Sequence, residues 1–455
     1  MMTTSLPTPG GSARAPLRSP RHSRRRSGTA ALLTALGLGL AGCTSPTGPA
    51  PSGTGPAESD TGPTQSGPSQ STAPSGSAGP SPSTSPSEGA SSTAPTSTAP
   101  PTSTPTCAEQ IVADLSPAEQ AGQLLWVGLD AGATRSSLDD LITERHLGGV
   151  VLLGGWHDGR ASIEPTTGHL AGLASESATG GLGLFIAVDQ EGGAVQQLQG
   201  QGFDDMPSAI EQGGLTDREL TRDATQWGEQ LAAAGVNVNL APVADTVPES
   251  LGTANEPIGH WYREYSHRSA KVADKVAAFI AGMHAGGVAA TTKHFPGLGR
   301  ITGNTDLTAT GITDDETTSD DPYLDPFAAG IEAGTDFMMI GTAIYSQIDP
   351  DVNAAFSHRI VTDLLRDQLG YDGVVITDDV GNAVSVADVP VGERATRFIG
   401  AGGDIVLTAD PGTVPTMTEA ITTEMDDDTD FAELVQAAVT RVVELKIDRG
   451  LAECG

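Results

Sequence analysis

The stretch G-Y-D-G-V-V-I-T-D-D, Gly370 to Asp379, places a short apolar run between a turn-forming Y-D-G and two consecutive acids. A run of this length, rich in β-branched residues and bounded by Gly, reads as a strand. Seven more apolar runs accompany it, at 124–129, 149–153, 182–188, 236–243, 287–292, 336–340 and 404–408. Most are separated by segments that hold a helix. His267 to His284 carries apolar residues at helical spacing, as does Arg359 to Leu369. Strand and helix alternating eight times predict an α/β fold, a (β/α)8 TIM barrel forming a single catalytic domain. A doubly wound sheet is the rival on pattern alone.

A barrel makes a further demand: functional residues belong at the C-terminal ends of its strands. The third run leads into Asp189-Gln190-Glu191, the fourth into Asn239 and Asp245, the fifth into Lys293-His294 and the seventh into Asp378-Asp379. A lone Asp in such a place is more often a helix N-cap. Several strand ends behaving alike predict polar groups converging over one mouth.

Outside the rhythmic segment the composition changes. Residues 1–43 hold six arginines and no acid, with Arg24, Arg25 and Arg26 just before an apolar run too short to span a membrane. The run ends in L-A-G-C, Leu40 to Cys43, which resembles a bacterial lipobox. Residues 1–42 are therefore expected to be a signal peptide, with Cys43 lipidated as the mature N-terminus. Residues 44–106 are Ser, Thr, Pro, Gly and Ala almost throughout, without Lys, Arg or an aromatic ring. That composition predicts a disordered stalk from Cys43 to 106, and a domain at 107–455 on the extracellular face of the cell membrane. Cys107 and Cys454 stand at the two ends of that domain, where an exported pair predicts a disulfide. Beyond residue 43, 18 basic residues face 57 acidic ones. Such a charge argues against nucleic acid and against anionic membrane surfaces as partners. Membrane attachment is expected through the N-terminal lipid only, and the protein is expected to be a monomer.

Four motifs stand in order along the domain: A-V-D-Q-E-G-G (187–193), N-L-A-P-V-A-D (239–245), K-H-F-P-G-L-G (293–299) and G-Y-D-G-V-V-I-T-D-D (370–379), with R-V-V-E-L-K (441–446) near the end. Together they resemble the catalytic barrel of glycoside hydrolase family 3, of the single-domain bacterial β-N-acetylhexosaminidase type. The resemblance covers nearly all of residues 107–450. It implies a retaining glycosidase that removes a terminal β-linked sugar, N-acetylglucosamine, from β-linked glycans or muropeptides. It implies Asp378 as nucleophile, with Asp379 a structural acceptor, and places Lys293, His294 and Asp189 on sugar hydroxyls. Asp245 either faces the ligand or holds Lys293. No metal or other cofactor is implied.

The chain departs from that pattern in two places. The family's loop continues to Asp-Ser-His, whose His is the general acid/base; here Asn304-Thr305-Asp306 occupies the positions. Asp306 is then the provisional acid/base, since a carboxylic acid is the usual glycosidase choice. The alternatives are a loop acid from Asp314, Asp315 and Glu316, or a site that binds sugar and turns over poorly. Ala194 and Gln197 also stand where the family has arginines, and Arg263 is the candidate to replace the missing guanidinium. These departures leave open a different β-glycoside as substrate, or a non-catalytic glycan-binding lipoprotein on the same barrel.

Overall fold

The computed structural model describes residues 105–454. The expected signal peptide, the lipid site at Cys43 and nearly all of the stalk lie outside the described residues. Eight parallel strands form the core: β1 (Leu125–Asp130), β2 (Gly149–Leu153), β3 (Phe185–Val188), β4 (Val238–Asn239), β5 (Ala289–Phe295), β6 (Phe337–Ile340), β7 (Val374–Thr377) and β8 (Val406–Thr408). Each pairs with its neighbour in sequence, and β8 returns to pair with β1, Leu125 lying opposite Val406. The last seam, β7 to β8, closes through a bridge between Ile376 and Ile405, where the Thr377 N–H donates to the Ile405 carbonyl at 2.9 Å. The sheet closes on itself, so the architecture is a (β/α)8 barrel and the doubly wound alternative is excluded.

The strands read as continuous apolar runs because both of their faces are covered. Inside the barrel, Trp126, Phe185 and Phe337 from β1, β3 and β6 meet with ring centroids 5.3–5.4 Å apart. Lys446, from the last helix (Thr429–Asp448), reaches beneath them. Its Nζ donates to Gln123 Oε1 at 2.6 Å and to the Gly148 carbonyl at 3.2 Å, 5.2 Å from the Phe185 ring centre. Gln123 and Gly148 lie just ahead of β1 and β2, so this buried amine fills the end of the barrel away from the strand C-termini.

Helices cover the outside. Asp217–Ala233 begins at a capping box in which Thr216 and Glu219 satisfy each other's backbone N–H. It buries Leu220, Ala224, Trp227 and Leu231 on one face and packs against Ser269–Ala285. Glycines set how closely these helices approach, since a Cβ at Gly286 would stand 2.7 Å from the Gly228 Cα. The helix expected from Arg359 is a π-helix, Arg359–Gln368.

Cys107 and Cys454 are bonded, with Cα atoms 5.8 Å apart across 347 residues of sequence. The first and last helices of the domain, Cys107–Asp114 and Thr429–Asp448, lie side by side. Two small additions decorate the other end of the barrel. A hairpin pairs Gln190–Gly192 with Val195–Gln196 directly after β3, and a three-stranded sheet joins 313–314, 344–345 and 349–353.

Candidate active site

Five barrel positions aim side chains into one cavity of about 300 Å3 at the C-terminal ends of the strands. Asp189 arrives from β3, Arg263 from the long segment after β4, and Lys293 and His294 from β5. Asp378 and Asp379 arrive from β7, and Asn304-Thr305-Asp306 come from the loop after β5. The volume is at the small end for a ligand pocket. Lys293 and His294 are consecutive, and the peptide between them is cis, as are Ala241–Pro242 and Phe295–Pro296.

Lys293 is buried, and its Nζ lies 2.5 Å from Asp189 Oδ1 and 2.7 Å from Glu191 Oε1. Arg263 grips the same Glu191 in a bidentate pair, Nε to Oε2 at 2.8 Å and Nη2 to Oε1 at 2.7 Å, and gives Nη1 to the Pro257 carbonyl at 2.8 Å. Burial by itself would push the Glu191 carboxyl up. The charges of Arg263 and Lys293 overcome it and hold the group at about 2. Burial likewise works against the Lys293 ammonium, and the anions Asp189 and Glu191 more than offset it, so its pKa is raised. Both cations therefore remain charged, fixed by Asp189 just past β3 and by Glu191 on the hairpin that follows. Glu191→Gln leaves Arg263 and Lys293 buried around a neutral amide, and removing one partner of a buried ion pair costs about 3–5 kcal/mol. The urea midpoint of the variant should fall accordingly at an unchanged slope; a midpoint equal to wild type would show that Glu191 is not what holds the two cations.

Asp245 corrects an expectation. It lies outside the cavity lining and does not touch Lys293. It is fully buried behind His294, with Oδ2 2.7 Å from His294 Nδ1 and Oδ1 accepting the Leu298 N–H at 2.6 Å. A carboxylate at Nδ1 fixes the proton there and orients the ring, leaving Nε2 toward the cavity, where Arg263 Nη2 approaches to 3.4 Å. The loop that follows can lie so close because Gly299 has no side chain: a Cβ there would fall 1.9 Å from the Thr246 carbonyl.

The segment at 304–306 forms a turn closed by Asn304, whose Oδ1 accepts the Asp306 N–H at 2.9 Å. It is tied to the segment leaving β7: the Val384 N–H donates to the Asp306 carbonyl at 3.2 Å and the Ser385 N–H to the Thr305 carbonyl at 3.1 Å. This brings the carboxyls of Asp306 and Asp378 to the same cavity. Asp306 is exposed as a residue, but its carboxyl faces a cleft crowded with protein atoms. Desolvation there, followed by the Asp378 charge, raises it from 3.8 to about 6, against the opposing effects of His294 and Arg263.

Asp379 Oδ1 accepts the Gly381 and Ala409 N–H groups, each at 2.8 Å. This is the geometry of a strand-end acceptor. None of the three loop acids lines the cavity. Asp314 accepts the N–H groups of Glu316 and Thr317, Asp315 accepts the Ser346 hydroxyl, and Glu316 lies 3.7 Å from Arg300.

Residues 118–445 match the model of the glycosyl hydrolase family 3 N-terminal domain. The chain belongs to glycosyl hydrolase family 3. It is a glycosidase of that family, acting on β-linked sugars. Among solved structures, it is similar to a β-N-acetylhexosaminidase from Beutenbergia cavernae, at 49% identity and a TM-score of 0.72, over 73% of this chain and 99% of that one. A family 3 β-N-acetylglucosaminidase from Paenibacillus sp. str. FPU-7 follows at 27% identity and a TM-score of 0.64, over 75% of this chain and 64% of that one. Among curated sequences, a beta-hexosaminidase of Stenotrophomonas maltophilia (strain K279a) is 38% identical over 246 residues, which is 52% of this chain and 70% of that protein.

Proposed function

We propose that this glycosyl hydrolase family 3 protein removes a terminal β-linked N-acetylglucosamine by a retaining double displacement. Asp378 is the nucleophile and Asp306 the acid/base. The observation that carries the reading is the pairing of the two carboxyls in one small cavity, one of them raised to about 6. A glycosidase needs one carboxyl protonated and one ionised near neutrality, and environments that separate their pKa values supply this. The names of the similar proteins, hexosaminidases and an N-acetylglucosaminidase, support the choice of sugar.

In the first step an Asp378 oxygen attacks the anomeric carbon. The glycosidic C–O bond breaks, and the leaving oxygen takes the proton of Asp306. In the second step Asp306, now a carboxylate, removes a proton from water as the water oxygen attacks the same carbon. The ester bond to Asp378 breaks, the sugar leaves with its configuration retained, and Asp306 is protonated again. Asp189, Lys293, His294 and Arg263 orient the ring. The charge-assisted bonds offered by Lys293 and Arg263 are the strong kind, and their fixed positions limit reorganisation as charge develops.

The test is hydrolysis of a panel of nitrophenyl β-glycosides that includes the N-acetylglucosaminide, with the first-formed anomer followed by proton NMR. The expected product is the β-anomer of N-acetylglucosamine. Initial formation of the α-anomer would refute retention, and faster release of a sugar lacking the acetamide would refute the substrate. No release of any sugar by folded protein would favour a glycan-binding role instead.

A further inference from the structure

Past Asp378 and Asp379 the chain runs through residues 380–389 before the helix Val391–Gly400 begins. Arg394, near the start of that helix, is buried and turns back onto the segment. Its Nη1 donates to the Val380 carbonyl at 2.7 Å and to the Gly381 carbonyl at 3.0 Å. Its Nε donates to the Val389 carbonyl at 2.8 Å and its Nη2 to the Ala387 carbonyl at 3.4 Å. Residues 380 and 381 open the excursion and 387 and 389 close it, so one rigid guanidinium fork ties its two ends together. All four partners are backbone carbonyls. A lysine, with its donors at a single point, lacks the geometry to span them.

The middle of the same segment reaches the turn that carries Asp306. The Val384 N–H donates to the Asp306 carbonyl at 3.2 Å and the Ser385 N–H to the Thr305 carbonyl at 3.1 Å. Among the described residues, these are the only main-chain bonds that Thr305 and Asp306 make outside their own turn. Asp378 is anchored elsewhere. Its N–H donates to the Ile340 carbonyl, at the end of β6, at 2.9 Å. Its neighbour Asp379 accepts the Ala409 N–H, just past β8, at 2.8 Å. The adjoining strands therefore hold Asp378, while the segment tied by Arg394 holds Asp306.

We propose that Arg394 is a positioning residue for the acid/base: by tying both ends of 380–389 it fixes Val384 and Ser385, and through them the place of the Asp306 carboxyl relative to Asp378. The inference rests on Asp306 being the acid/base. Arg394 lies outside the cavity lining and touches no reacting atom. Loosening the tie should leave Asp378 seated while the Asp306 turn shifts. A misplacement of about 1 Å can cost about a hundredfold in rate, and here the loss falls on proton donation. A carboxyl that moves away from Asp378 and toward water also loses what raises it, so its pKa should fall from about 6 toward 3.8.

The experiment measures kcat/KM for an alkyl and a dinitrophenyl β-N-acetylglucosaminide over a pH series, in wild type, Arg394→Lys, Val384→Pro and Asp306→Asn. Val384 is exposed and opens a short 3-10 helix, a place where proline is tolerated. Its replacement removes the N–H that faces Asp306 and leaves Arg394 untouched, so it decides the matter alone should Arg394→Lys fail to fold. In both variants the alkyl substrate, whose leaving oxygen needs the proton, should lose about tenfold to a hundredfold. The dinitrophenyl substrate should stay within about twofold of wild type, and the alkaline limb of the profile should move to lower pH. Where Asp306→Asn shows the same dependence on leaving group, equal losses on the two substrates, an unchanged alkyl rate or an unmoved limb in either variant overturns the proposal. Where it does not, the acid/base assignment fails by itself. Carbon-13 NMR of the Asp306 carboxyl then decides the positioning role: its titration should move to lower pH in both variants, and an unmoved titration overturns the proposal.

Discussion

Asp378→Asn should abolish turnover, lowering kcat by about 10^4- to 10^6-fold, the scale seen when a covalent nucleophile is removed. An amide cannot supply the ionised oxygen that forms the glycosyl ester. The variant should remain folded, because the contacts that seat the residue are retained. The Asp378 N–H donates to the Ile340 carbonyl at 2.9 Å, and Oδ1 accepts the Asp379 N–H at 2.9 Å; an Asn oxygen can accept that bond equally. Affinity for free N-acetylglucosamine should change little, since the cations and Asp189 proposed to hold the hydroxyls are untouched. A second consequence follows from the shared cavity. The Asp378 charge helps to raise Asp306, so its loss should lower the Asp306 pKa, which carbon-13 NMR of the carboxyl reports. Residual activity above about one per cent, verified free of deamidated protein, would remove Asp378 from the nucleophile's role.

Asp306→Asn should show the second-largest effect, and it should depend on the leaving group. General-acid catalysis contributes about 10^2- to 10^4-fold. That factor should be lost for a substrate whose leaving oxygen needs a proton, such as an alkyl β-glycoside. A dinitrophenyl glycoside leaves without help, so its glycosylation step should be nearly spared. The pH profile gives an independent sign. The group must be protonated to act as acid, and its pKa stands at about 6. Wild-type kcat/KM should therefore fall about tenfold per unit as the pH rises above that value. This alkaline limb should vanish in Asp306→Asn. If the limb survives in the variant, the proton comes from another group, with His294 a candidate in the cavity.

The barrel was legible because its signal is redundant. β2 was read with its full bounds, and the others lay within or close beside their apolar runs, since strands covered on both faces have little room for polar residues. The ends were less well placed. At β4 the apolar run covered 236–243, while regular pairing is confined to Val238–Asn239 and the chain then turns through the cis Ala241–Pro242 peptide. The convergence of Asp189, Lys293, His294 and Asp378 was likewise readable from their positions just past strands. What lay beyond that reading was who holds whom. Glu191 sits two residues after Asp189 in the quoted motif, and nothing in its spacing says that it binds two cations, one of them 72 residues away. The same limit explains Asp245. A strand-end acid can face the cavity or turn behind it, and which happens depends on a backbone N–H at Leu298, 53 residues distant.

The bond between Cys107 and Cys454 has a mechanical meaning. Gly183, two residues ahead of β3, donates its N–H to the Leu451 carbonyl at 2.7 Å, so the two ends of the domain meet at the closed base of the barrel, opposite the cavity. Force arriving through the chain ahead of Cys107 is divided at once between the first helix and the last. Neither can be peeled away singly; both must be sheared from the barrel together, which raises the barrier that governs forced unfolding.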